Sequence, residues 1–125
     1  MTQILIVGAG GFFGSIFRYG IGVMFKRVLP AVAFPLGTLT ANLSGCFIIG
    51  LLYGVVEARD AFGPNLRLFL FVGMLGGFTT FSSFGYETFA LARNTEMLKA
   101  AGNVLVHIVV GLAAVGSGFM LSKMI

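Results

Sequence analysis

Apolar residues run along this chain in four long blocks, roughly 4–25, 33–56, 66–92 and 100–121, and most charged residues lie between them. Crossing a hydrocarbon core takes about 20 helical residues, and each block is long enough. None alternates in polarity, and each is about twice the length of a barrel strand. A span in lipid must satisfy its own backbone hydrogen bonds, so the blocks are predicted to be helices. The connections are short: KRVLP, EARDAFGPN and RNTEMLK. The expectation is an all-α, multi-pass membrane protein with a single four-span domain over residues 1–125.

Composition agrees with this reading. The chain is 58% hydrophobic and 10% charged, with a mean hydropathy of +1.02. A soluble domain of this size needs more polar surface. The N-terminus lacks the basic leading region of a cleavable signal, and its apolar run continues into Arg18, so the first span is expected to stay. Cys46 is a lone cysteine and is expected to pack as a small apolar residue. The net charge of +4 is better assigned to lipid headgroups than to nucleic acid, because the basic residues cluster at span ends with no basic stripe between aromatics.

The segment ILIVGAGGFFGS resembles the start of a dinucleotide-binding fold, with Gly8, Gly11 and Gly14 after an apolar run. The stricter G-x-G-x-x-G fails at Phe13. No acidic residue occurs before Glu57, where such a site needs one about 20 positions on. Glycines spaced by three and four in an apolar span point instead to close helix packing. Gly45, Gly50 and Gly54, and Gly111 with Gly118, suit the same use.

Polar groups inside the spans carry the functional signal. Arg18 lies well within the first span, where a charge costs several kcal/mol. It either snorkels to the headgroups, pairs with Glu87, or faces a water-filled anion path. Asn42 stands near the middle of the second span with Thr38 one turn before it, making a polar stripe. Asn103 and His107 share a face of the fourth span, and His107 reads as a satisfied structural group. In GGFTTFSSFGYE, residues 76–87, Thr80, Ser83 or Phe84, and Glu87 fall on one helical face, and Phe81 and Phe84 are neighbours at i, i+3. The Gly76–Gly77 pair is a poor helix former, so a break is expected there. Broken backbone at membrane depth is tolerated only where protein buries it or it lines a cavity. A phenylalanine edge is partly positive, so two edges could aid an anion that sheds water.

GGFTTFSSFGYE resembles the GG-x-[ST]-TFS-x-F-x-x-E signature of the Fluc fluoride channels, also called CrcB. The likeness covers the whole chain, including Arg18, PLGTLTANLSG in the second span and NVLVHIVVG in the fourth. It implies a dual-topology homodimer of two antiparallel copies with two fluoride pores. Phe81 and Phe84 would be the aromatic pair on the fluoride paths, Asn42 a pore-lining donor, and Thr38 its helper. Thr80 and Ser83 would continue the polar track toward Glu87, and Arg18 would attract anions at the entrance. The family's structural sodium ion at the dimer centre would be held by the main-chain carbonyls of Gly76 and Thr79 from each copy. Some relatives carry a serine where this chain has Gly111, so a hydroxyl is missing from that helix.

Charge placement adds an independent point. With both termini on one side, that side carries Arg59, Arg67 and Lys123, and the other carries Lys26, Arg27, Arg93 and Lys99. This leaves orientation undecided by the positive-inside rule, as insertion both ways requires. The reading is a channel, not an enzyme, that lets fluoride leave the cytoplasm passively across the cytoplasmic (inner) membrane. A small exporter of cationic drugs would need a membrane carboxylate, yet the first span holds Arg18 and no acid. A purely structural membrane protein would not need hydroxyls, an amide and paired phenylalanines at that depth.

Overall fold

The structure, a computed structural model, describes every residue except Asp60. Its described elements are all helical. Helix α1 (Thr2–Val28) and helix α2 (Leu36–Arg59) form the first two spans. The third span, Pro64–Arg93, is composite. It begins with α3 (Pro64–Arg67), continues as a wider π-helical stretch (Leu68–Leu75), returns to α4 (Gly76–Phe78), and resumes as α5 (Phe81–Arg93). Helix α6 (Met97–Ser122) is the fourth span. Each span is long and apolar enough to cross a membrane, a few residues longer at most ends than its apolar block.

The span ends follow ordinary helix chemistry. Pro64 occupies the first turn of α3, where its missing N–H costs nothing. Lys26 and Arg27, Arg59 and Arg93 stand in the last turns of α1, α2 and α5, where the partial negative charge of the helix end favours cations. The connection before α3 is tied by Arg67, whose Nε donates to the Phe62 carbonyl at 2.7 Å. Arg59 donates to the Ile125 carbonyl, which holds the C-terminus against the end of α2.

Glycines set which spans pack closely. Helix α1 runs parallel to the third span, with Gly10 against Gly73 and Gly11 against Gly77. A methyl group at Gly77 would lie 2.7 Å from the Gly11 carbonyl oxygen, so the two backbones touch. Helix α2 packs along α6 in the same way, Gly50 on Val115 and Gly118 on Phe47. The expected packing role therefore holds for Gly14, Gly45, Gly50, Gly54 and Gly118, where a methyl group would collide with a neighbour. It fails at Gly8, which faces open space, and at Gly111, where a methyl group would make only ordinary contact with Cys46. The small core, Ala41, Leu75 and Phe78, lies where α2 meets the third span. Large apolar side chains on every span remain exposed, which leaves broad faces for lipid or another copy.

Candidate functional site

The third span breaks at Thr79 and Thr80, not at the glycine pair. Gly76 keeps helical angles (φ −62°, ψ −38°), and α4 runs through Gly77 to Phe78. Thr79 and Thr80 are extended, with ψ of 156° and 119°. This corrects the expected position of the break by three residues. Glycine permits a break without demanding one, and Gly77 is small because α1 presses on it. The threonines favour extended backbone through their branched side chains.

Helix α2 holds the break open. Asn42 Nδ2 donates to the Thr80 carbonyl at 3.0 Å, and Thr80 N–H donates to Asn42 Oδ1 at 2.8 Å. One amide thus satisfies both backbone groups of the residue that leaves the helix. Such groups left bare at this depth would cost several kcal/mol each. Gly45, one turn along α2, leaves a notch that the Thr79 methyl group fills. Thr79 Oγ1 turns back to the Leu75 carbonyl at 2.9 Å and closes α4.

Helix α5 then restarts with Thr80 as its N-cap. Thr80 Oγ1 accepts from Ser83 N–H at 3.2 Å and donates to Ser83 Oγ at 3.3 Å. The Ser83 hydroxyl hydrogen and the second amide hydrogen of Asn42 have no acceptor among the described residues. They are donors left over in a region otherwise short of them. Two carbonyls lose their helical partners in the same step. Thr80 N–H goes to Asn42 instead of Gly76, and Ser83 N–H goes to the cap instead of Thr79. The Gly77 carbonyl is satisfied by Arg18 Nε at 3.1 Å.

A cavity of about 680 Å³ opens beside the break, lined by Asn42, Thr80, Phe81, Phe84 and His107 among others. The Phe81 and Phe84 ring centroids are 5.5 Å apart and tilted by 56°. Phe81 is 81% exposed in the single chain, so most of its ring is left uncovered beside Phe84. His107 lies 4.4 Å from Phe84, ring to ring. Sequence reasoning set this histidine aside as structural, although its place one turn after Asn103 was visible.

A second cavity, about 500 Å³, lies toward the end of α1 and is lined by Lys26, Thr38 and Glu87 among others. Thr38 Oγ1 donates to Glu87 Oε1 at 2.8 Å, so the Thr38 hydrogen is committed to the carboxylate. Glu87 Oε2 is buried without a hydrogen-bond partner. Arg18 does not line this cavity and does not pair with Glu87; it stands at the break. The structure thus groups Asn42, Thr80, Phe81 and Phe84 around one cavity and Thr38 with Glu87 around another. Ser83 lies at the cap and Arg18 behind it.

Comparison with known proteins gives a consistent result. The family model described as CrcB-like protein, Camphor Resistance (CrcB), matches residues 5–119. A protein of Methylobacillus flagellatus named fluoride-specific ion channel FluC is 41% identical over 124 residues, covering 99% of this chain and 97% of that protein. One of the same name from Paracoccus denitrificans is 44% identical over 119 residues, covering 95% and 93%. A third, from Helicobacter pylori, is 44% identical over 115 residues, covering 91% and 88%.

Proposed function

We propose that this chain, which belongs to the CrcB-like family, is a fluoride channel that lets the ion leave the cytoplasm passively. Relatives named as fluoride-specific ion channels match it along nearly its whole length. The observation in the molecule that carries the reading is the Asn42-held break, which sets an aromatic pair and the uncommitted Asn42 donor around one cavity within the membrane.

Fluoride is small and tightly hydrated, so a path through apolar protein must offer replacement donors. The ion would gather at the cavity beside Lys26, pass the Ser83 hydroxyl, which Thr80 positions through its own hydrogen, and meet the second Asn42 N–H. The positive edges of Phe81 and Phe84 would line the narrow part. The Arg18 charge, held at the break by Gly77, favours an anion there. Thr38 orients Glu87 and serves the path indirectly, its hydrogen being committed.

The working unit in this reading is an antiparallel homodimer in the cytoplasmic membrane. The exposure of Phe81 and the wide cavity beside the break support a second copy closing that face. Near balance of basic residues at the two span ends supports insertion in both orientations. The carbonyls of Gly76 and Thr79 also fit a sodium ion. Both have lost their helical donors, and a hard cation prefers oxygen ligands. Two copies would supply four such oxygens and bind the ion as a structural brace between them.

Purified protein in liposomes loaded with potassium fluoride tests the function. Fluoride should leave rapidly while chloride in parallel vesicles stays. Equal release of both ions, or release of neither, would refute it.

A further inference from the structure

Behind the cavity wall lies a polar string that the proposed path does not use. Thr88 Oγ1 donates to the Phe84 carbonyl at 2.7 Å. Asn103 Nδ2 donates to Thr88 Oγ1 at 2.8 Å. The Asn103 carbonyl meets His107 Nδ1 at 2.9 Å. A carbonyl can only accept, so Nδ1 carries a proton. Asn103 is fully buried, at 0% exposure, and is the largest side chain so enclosed. A single residue of α6 therefore reaches Phe84 on α5 through one hydroxyl, and the His107 ring through its own backbone. Those two rings pack at 4.4 Å and line the cavity.

We infer that Asn103 is a positioning residue that, acting through Thr88, sets Phe84 against His107 and so fixes the aromatic wall of the conduction path. The inference rests on the fluoride-channel reading. Between apolar helices in lipid, packing alone leaves rotation and sliding weakly specified, and interhelical hydrogen bonds restrict both. A threonine bonded back to the carbonyl four residues earlier also tends to bend its helix. Here that bond returns to Phe84 itself, and the Asn103 donor holds the Thr88 hydroxyl in the rotamer that makes it. The amide orientation follows from the same chemistry. Thr88 has its hydrogen on Phe84, so it can take only a donor from Asn103. Asn103 Oδ1 is left buried without a partner. His107 Nε2 is likewise buried and unpartnered, so Nδ1 is the ring's one hydrogen-bonded anchor.

Single-channel recording tests this, because unitary current reports only on channels that have folded. Thr88→Val keeps the side-chain shape and removes both hydroxyl bonds. Thr88→Ser keeps the hydroxyl. The unitary fluoride current of Thr88→Val should fall about fivefold, the factor corresponding to about 1 kcal/mol at the conduction barrier. Thr88→Ser should conduct like the parent. A residue that only stabilised the fold would lower the number of channels and leave the unitary current unchanged. That result for Thr88→Val beside a conducting parent overturns the inference. If Thr88→Val yields no channels, Thr88→Ala carries the same test. A parent that passes no fluoride refutes the channel reading itself.

Discussion

Asn42 and Thr80 form a closed pair. The amide of one residue takes both the N–H and the C=O of the other, at 2.8 and 3.0 Å. This pair lets a membrane helix stop and restart without leaving those two groups bare. Asn42→Asp keeps an acceptor for Thr80 N–H but presents oxygen to the Thr80 carbonyl. It also removes the spare donor proposed for fluoride. Leaving one buried carbonyl unpaired costs about 1–3 kcal/mol. Fluoride efflux from liposomes should fall at least about tenfold, with protein still eluting from size exclusion like the parent. Efflux equal to the parent would place Asn42 outside the path.

The aromatic pair makes a separate claim. Replacing Phe81 or Phe84 by Ile keeps apolarity and much of the volume while removing the ring edge. Either variant should lose most fluoride efflux yet elute from size exclusion like the parent. Parent-like efflux from both would reduce the rings to packing.

Two glycines should respond oppositely to alanine. A methyl group at Gly77 would lie 2.7 Å from the Gly11 carbonyl oxygen and 3.0 Å from the Gly11 Cα, both backbone atoms. Gly77→Ala should cost about 1–3 kcal/mol by overpacking. Gly20 lies in α1 with nothing within 4 Å of the added carbon. Gly20→Ala should be neutral or stabilise by up to about 1 kcal/mol through helix propensity. Thermal unfolding in detergent measures both. Equal effects would contradict the assignment of Gly77 to backbone contact.

Sodium should matter to the assembled protein. On the proposed sodium site, exchanging it for a large organic cation during purification should lower the unfolding temperature of the protein, and returning sodium should restore it. An unfolding temperature that ignores the exchange would remove the Gly76 and Thr79 carbonyls from any ion site.

Much of the fold was legible because a bilayer imposes a length and forbids unpaired backbone. Four apolar blocks of that length had to be helices, and they are. The break was legible as an event and misplaced by three residues. Gly76–Gly77 signals both weak helix and close packing, and only the approach of Gly11 shows which use applies. The π-helical winding of LFLFVGML left no trace, because a uniformly apolar run has no period to read. Asn42 and Thr38 could be placed on one stripe, but their partners, Thr80 and Glu87, lie on another span. The Thr88–Asn103 bond escaped for the same reason. The i, i+4 pairing of Asn103 with His107 was in plain view, yet the hydroxyl that gives it meaning comes from α5.

The most direct test of the central claim is a reversal potential in planar bilayers. A tenfold fluoride gradient is set in one direction and an equal chloride gradient in the other. For a fluoride-selective channel, current should cross zero close to the fluoride equilibrium potential, about 59 mV for a tenfold monovalent gradient. A reversal at zero, or at the chloride potential, would contradict the reading of this chain as a fluoride channel.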